Sequence, residues 1–282
     1  MDALSRVGRS GRRRFAADLA RALIATPLLD LLLDAEALAG DAQTRAEGLR
    51  AGLARLSAEL RAGELDPRGW QRASAALCAD LHGSHLLRQL RVERLVERLD
   101  DTDVRPRSLS LDPEPGLPRT AGVRDRLFTF GRGEAIVPHG HDNLVSLFIV
   151  LRGRFRARHY DRLADTPAHI VIRPTSDREV ETGALTSVSE AQDNVHWFTS
   201  LSEDALLYNL SVDISARSRR PQARPGRVYL DPEGPRNADG TILAPRSDRQ
   251  SLRAKYDAPA PATSRVIGAN ADSNRLERLA EH

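Results

Sequence analysis

The chain has 282 residues, 40% of them hydrophobic, enough for one sizeable core with appendages or for two small domains. Net charge is only +3, Lys255 is the sole lysine, and the one basic cluster is the short arm Arg9 to Arg14, so no nucleic-acid footprint is expected. Cys78 is the single cysteine, which excludes an intramolecular disulfide and a cysteine-built metal site and fits a reducing cytoplasm.

Residues 11 to 100 read as helices. Apolar residues recur at helical spacing over 15–39, 45–63 and 74–99, with Gly63 and Pro67 punctuating the second gap. The first apolar run follows arginines and superficially resembles a signal peptide. Asp18, Arg21, Asp30 and Asp34 interrupt it, and no stretch is long enough to span a bilayer. The expectation is a soluble, cytoplasmic protein with no membrane or nucleic-acid partner. Residues 101 to 120, rich in Asp, Pro, Arg and Gly, read as a linker.

From about Arg126 to Ile214 the pattern changes to short strands: RLFTF, AIVPHGH, VSLFIVL, RFRARHY, HIVIR, LTSVS, VHWFTS and ALLYNLSVDI. So many short strands in about 100 residues suggest a β-sandwich or barrel. GRVYLDP adds a further strand after an Arg/Pro-rich connection, and from about Pro232 the composition predicts a loosely ordered tail with a short helix near Leu276. The expected units are a helical N-terminal region over 1–103, a barrel domain over 104–232 and the tail over 233–282.

The chemistry-bearing segment is GEAIVPHGHDNLVSLFIVLRG, Gly133 to Gly153. His139 and His141 stand at i and i+2, so a strand points both imidazoles to one face. His196 follows in DNVHWF, and an antiparallel barrel can bring that strand alongside the first. These three are the expected ligands of one metal ion. His82 and His85, at helical spacing, are expected in capping or surface roles, and His159 and His169, on strands without a matching partner, are left out of the ligand set. Gly153 is expected at a turn.

HGHDNLVSLFIVLRG resembles the first motif of the cupin superfamily, a glycine, H-x-H, a glutamate and a glycine, with Ser146 in the glutamate slot. Three histidines without that glutamate are similar to the thiol dioxygenases. GRFRARHYDRL and DNVHWFTSLSEDALL resemble segments of the cysteamine dioxygenase and plant cysteine oxidase group. The resemblance covers about Arg126 to Leu230. It departs from the group at Ala191-Gln192-Asp193, at Pro138 and at Tyr208.

The resemblance implies a mainly β fold, a cupin double-stranded β-helix barrel, here preceded by the helical region. It implies Fe(II) as cofactor and the addition of O2 to the sulfur of a small thiol or a peptide N-terminal cysteine, giving a sulfinic acid. Three neutral ligands would leave the ion its full +2 charge and favour thiolate binding. A metal oxygenase acting on a non-thiol small molecule, or a ligand-binding regulatory cupin, are the alternatives.

Around the ion, Ser146, Asp142 and Asn194 are candidates to orient the rings. Arg154, Arg156, Arg158 and Tyr160 alternate along one strand; Arg158 or Tyr160 is expected to reach into the pocket, to bind a carboxylate or orient O2. With Ser146 these form the expected catalytic set. Trp197 and Phe198 point to opposite faces, one of them into the core.

Overall fold

Two antiparallel sheets face each other, and each has its outer surface covered by a different end of the chain. The computed structural model describes residues 41–79, 107–109, 123–217 and 226–257. The expected helix over 15–39, His82 and His85, and the expected helix near Leu276 lie outside the described residues.

The first sheet has the order β1-β2-β9-β4-β7, and the second β10-β3-β8-β5-β6-β11. Their ranges are β1 Arg107–Leu109, β2 Val123–Phe130, β3 Ala135–Asp142, β4 Leu144–Arg152, β5 Arg154–Asp165 and β6 His169–Glu181. The others are β7 Leu185–Val188, β8 Val195–Ser200, β9 Ala205–Asp213, β10 Gly226–Tyr229 and β11 Ile242–Pro245. Pairing within both sheets is antiparallel. This is the mainly β, two-sheet barrel expected for a cupin. Gly153 makes the β4–β5 turn at φ +81, a conformation that side-chain-bearing residues rarely adopt.

Alternation along β4 shows how each strand serves two cores. Val145, Leu147, Ile149 and Leu151 face outward to the helices, while Phe148 and Val150 face the barrel interior. The outward set meets α1 (Asp41–Ala62) and α2 (Pro67–Leu77). Leu49, Leu53, Leu56 and Leu60 form the i, i+4, i+7, i+11 stripe that α1 lays on Leu127, Leu206, Tyr208 and Leu210. Asp66 caps α2 by accepting a hydrogen bond from the Gly69 backbone N–H, with Pro67 in the first turn. Trp70, fully buried, anchors α2 in the same core. None of the described helices is long and apolar enough to cross a membrane.

The second sheet is covered from the other end of the chain. Leu230, Ile242 and Ala244 pack on Tyr160, Ile170, Ile172 and Val195. Leu252 of α3 (Arg249–Tyr256) packs on Ala135, Val137 and Trp197, and the Tyr256 ring lies tilted against Trp197 with centroids 4.5 Å apart. Residues 233–257 are therefore ordered where a loose tail is expected. Their polar composition hides a few apolar anchors and a set of local hydrogen bonds, such as Asp248 capping α3. Residues 258–282 lie outside the described residues.

Two further expectations are corrected. Residues 107–109, inside the expected linker, form β1 and pair with Leu127 to Thr129. Strand β6 runs on to Glu181 instead of stopping near Arg173. Pro174 marks a stop in the sequence because it lacks an N–H, but a register shift beside it leaves Thr175 as an extra residue and the ladder resumes at Ser176.

Replacing the anchor tests the helical cover. Trp70→Ala is expected to lower stability by about 3–5 kcal/mol in urea denaturation. An unchanged midpoint would mean that α2 does not pack on the first sheet.

Candidate metal centre

The three predicted histidines meet inside the barrel, and a bulge brings the first of them there. Along β3, Ala135 and Val137 face outward into the α3 core. Strict alternation would send His139 the same way. The register on β8 shifts between Ile136 and His139, so that Ile136 lies opposite Phe198 and His139 opposite His196. Three residues of β3 thus span two of β8. The extra residue falls at the Val137-Pro138 step, where the missing N–H of proline costs the ladder nothing. Beyond it, His139 points inward with Ile136.

His139, His141 and His196 are 3%, 9% and 1% exposed. Their ring centroids lie 4.8 Å apart for His139–His141, 4.3 Å for His139–His196 and 5.2 Å for His141–His196. One ligand atom from each lies within 4.8 Å of the others, the one such group of histidine, cysteine or acid side chains among the described residues. His139 Nδ1 is 2.8 Å from the Val137 carbonyl oxygen. A carbonyl only accepts, so Nδ1 carries the proton and Nε2 keeps a free lone pair. The buried Nδ1 atoms of His141 and His196 have no protein partner. Buried nitrogens left without partners are costly, and each ring has a nitrogen to offer one ion. A neutral three-imidazole set suits iron, copper, zinc or nickel.

Burial is the main force on these rings. It holds His139 and His196 well below the ordinary 6.5, helped for His139 by repulsion from His141 and for His196 by repulsion from His139. It pushes His141 down to about 3, with Arg227 and Arg124 adding like-charge repulsion. All three rings are therefore neutral at neutral pH, the form that can bind a metal.

Gly140 sits between two ligands for a steric reason. A Cβ there would lie 2.5 Å from Asn194 Oδ1 and 3.3 Å from Val195 Cγ2. Asn194 cannot easily yield, because its Nδ2 donates to the carbonyls of His141 (2.7 Å) and Ser189 (3.2 Å). Asn194 thus holds the backbone that carries His141. Asp142 engages Arg162 at 2.9 Å in a pair that is almost wholly buried, at the end of β3. Ser146 faces the interior, with its hydroxyl 3.0 Å from Ser211 Oγ. Ser211 in turn donates to Asn209 Oδ1, and Asn209 Nδ2 donates to the Leu147 carbonyl.

Arg158 and Tyr160 do not reach the pocket, which corrects the expectation for both. On β5 the inward residues are Phe155, Ala157 and His159. The even-numbered set faces out. The Arg158 guanidinium lies 3.8 Å over the Trp197 ring, and Tyr160 is packed with Ile170, Ile172 and Leu230 beneath the C-terminal segment. The inward residue is His159, opposite His196 across the ladder, edge-on to Phe198 and pushed down to about 4 by burial. His139, His196 and His159 thus form one row across three strands. Counting alternation from the apolar Phe155 and Ala157 would have found it. Trp197 and Phe198 do face opposite ways, Phe198 into the interior core.

A cavity of about 470 Å³ opens over the histidines. Phe128, Leu144 and Phe148 supply apolar wall, and Tyr229 of β10 stands beside His139 with ring centroids 5.6 Å apart. Tyr229 is a second residue the sequence did not single out.

No family model and no curated protein matches the chain. Among solved structures, KdgF from Halomonas sp. is 18% identical over 40% of this chain and 84% of that one, with a TM-score of 0.29. An 11S globulin from Wrightia tinctoria is 21% identical over 44% of this chain and 28% of that one, with a TM-score of 0.33. A cupin superfamily protein from Desulfitobacterium hafniense DCB-2 is 14% identical over 38% of this chain and 77% of that one, with a TM-score of 0.26. The reading of the metal centre rests on its own geometry.

Two outcomes are expected. Gly140→Ala should cost about 1–3 kcal/mol through overpacking and should weaken divalent-metal binding in calorimetry; wild-type values for both would show that Asn194 is free to move. Metal-free protein should lose stability as pH falls. The unfolded chain takes up protons on these histidines below about pH 6.5, while the folded chain does not. Stability is complete above that pH and declines below it, for His141 down to about pH 3. The urea midpoint should fall between about pH 7 and about pH 5, and His141→Gln should flatten the fall. A flat wild-type profile would refute the buried neutral imidazoles.

Proposed function

We propose that the chain is a non-haem iron(II) dioxygenase that adds both atoms of O2 to the sulfur of a small thiol. The observation that carries this reading is the donor set: three buried neutral imidazoles with no acid side chain grouped with them among the described residues. The position where the cupin motif has its glutamate is Ser146, whose hydroxyl is engaged by Ser211. With no carboxylate ligand, a bound iron(II) would keep its full charge, which favours a thiolate over a thiol and offers one place for thiolate and O2 to react.

The chain's own residues hold that place ready. The Val137 carbonyl sets the His139 tautomer, and Asn194 and Gly140 set the His141 backbone. Phe128, Leu144 and Phe148 limit water around the reacting sulfur. The reaction balances without an external reductant: thiolate plus O2 gives sulfinate, sulfur losing the four electrons that O2 gains.

The test is oxygen uptake by anaerobically iron-loaded protein with a panel of thiols, and sulfinate by mass spectrometry. One O2 should be consumed per sulfinate formed. His196→Ala should abolish uptake and lose the metal while remaining folded. Iron binding without thiol-dependent uptake would defeat the thiol reading; full metal occupancy in His196→Ala would defeat the ligand set.

A further inference from the structure

Among the described residues, the cavity over the histidines is walled by arginine and by no acid. Arg124 and Arg126 line it from β2 and Arg227 from β10. Arg126 and Arg227 also line an adjoining space of about 270 Å³ toward α3, where Arg249 stands. Neither wall includes an aspartate or a glutamate among the described residues. Arg124, Arg126, Arg227 and Arg249 make no side-chain hydrogen bond or ion pair with any described residue.

Among the described residues, Arg126 stands apart from the other half-buried arginines. Arg152, Arg158, Arg162, Arg246 and Arg253 are each paired with an aspartate, at 2.6 Å (Asp204), 3.5 Å (Asp177), 2.9 Å (Asp142), 3.4 Å (Asp165) and 2.8 Å (Asp257). Arg126 alone has none. It has lost part of its water, and it is repelled by Arg227 and Arg124, so that it holds its own proton less tightly. Arg124, Arg227 and Arg249 are exposed and Arg126 is half-buried, so the cluster gathers like charge at the mouth of the cavity with water on its open side. Their forked donors match oxyanions, so an entering anion relieves the repulsion and gains charge-assisted hydrogen bonds.

We propose that these arginines recognise a small molecule with a doubly negative head group, a phosphate or a pair of carboxylates, whose other end reaches the three histidines. Two charges are called for because a single carboxylate would leave most of the cluster uncompensated. The cavity has the size of a small-molecule site. This deepens the oxygenase reading and rests on it for what happens at the far end of the ligand. It also argues against a cationic thiol such as cysteamine, which the field of the arginines and of a divalent ion would repel.

The test is calorimetric titration of the full-length, chelator-treated protein with inorganic phosphate and with succinate at low salt. At least one should bind saturably and weaken as sodium chloride is raised. Binding should be about tenfold weaker in Arg126→Gln, and weaker again in the Arg126→Gln/Arg227→Gln double variant, with circular dichroism confirming the fold. Arg132→Gln, whose guanidinium pairs with Glu203 on the surface, should bind as the wild type does. Phosphate alone binding would identify a phosphoester ligand, and succinate alone a dicarboxylate. Binding of neither, retention of affinity in the double variant, or equal loss in Arg132→Gln would overturn the proposal. The titration contains no metal and no thiol, so anion binding without thiol oxidation defeats only the oxygenase reading, and thiol oxidation without anion binding defeats only this one.

Discussion

One extra residue in β3 decides where His139 points, and the metal centre depends on it. Without the bulge at Val137-Pro138, period-two alternation would place His139 with Ala135 and Val137 in the core beneath α3. Both sets of side chains are fixed by burial on opposite sides of the sheet. Neither can slip without exposing apolar surface or expelling an imidazole. The bulge lets one strand be apolar outward before Pro138 and polar inward after it.

Placing three imidazoles at the centre of a packed barrel works against stability, and the surroundings show how it is supported. Each unsatisfied buried nitrogen costs about 1–3 kcal/mol. The two sheets offset this by having cover on their outer faces as well as a shared interior. Helices α1 and α2 cover one, and the segment from Leu230 to Tyr256 covers the other. Most strands are therefore buried on both sides, which is why β4 and β9 are almost continuously apolar in sequence. Helices α1 and α2 and the segment from Leu230 to Tyr256 share cores with the sheets they cover.

The electrostatics of the centre have one sign. The rings are neutral because burial forbids their charge, and the charged side chains that line the cavity among the described residues are arginines. A site of this kind repels protons and cationic groups and attracts anions. A metal ion bound by neutral ligands adds to the same field. The proposed thiolate chemistry and the proposed recognition of an acidic head group both draw on this single bias.

The sequence by itself determined the periodicities and the ligand types. Helical spacing in 45–63 marked α1, alternation marked most strands, and H-x-H with a distant third histidine marked the ligands, because these depend on local geometry alone. The parity of β5 was also within reach, since Phe155 and Ala157 identify its inward face and place Arg158 and Tyr160 outside. Only the tertiary structure decided the rest. The bulge at Pro138 exists only relative to its partner β8, the ordered stretch 233–257 is held by apolar anchors that have meaning only against the second sheet, and the arginine cluster gathers Arg124, Arg126 and Arg227 from strands 100 residues apart in sequence. Contacts of that kind are set by register and sheet order, which no local pattern encodes.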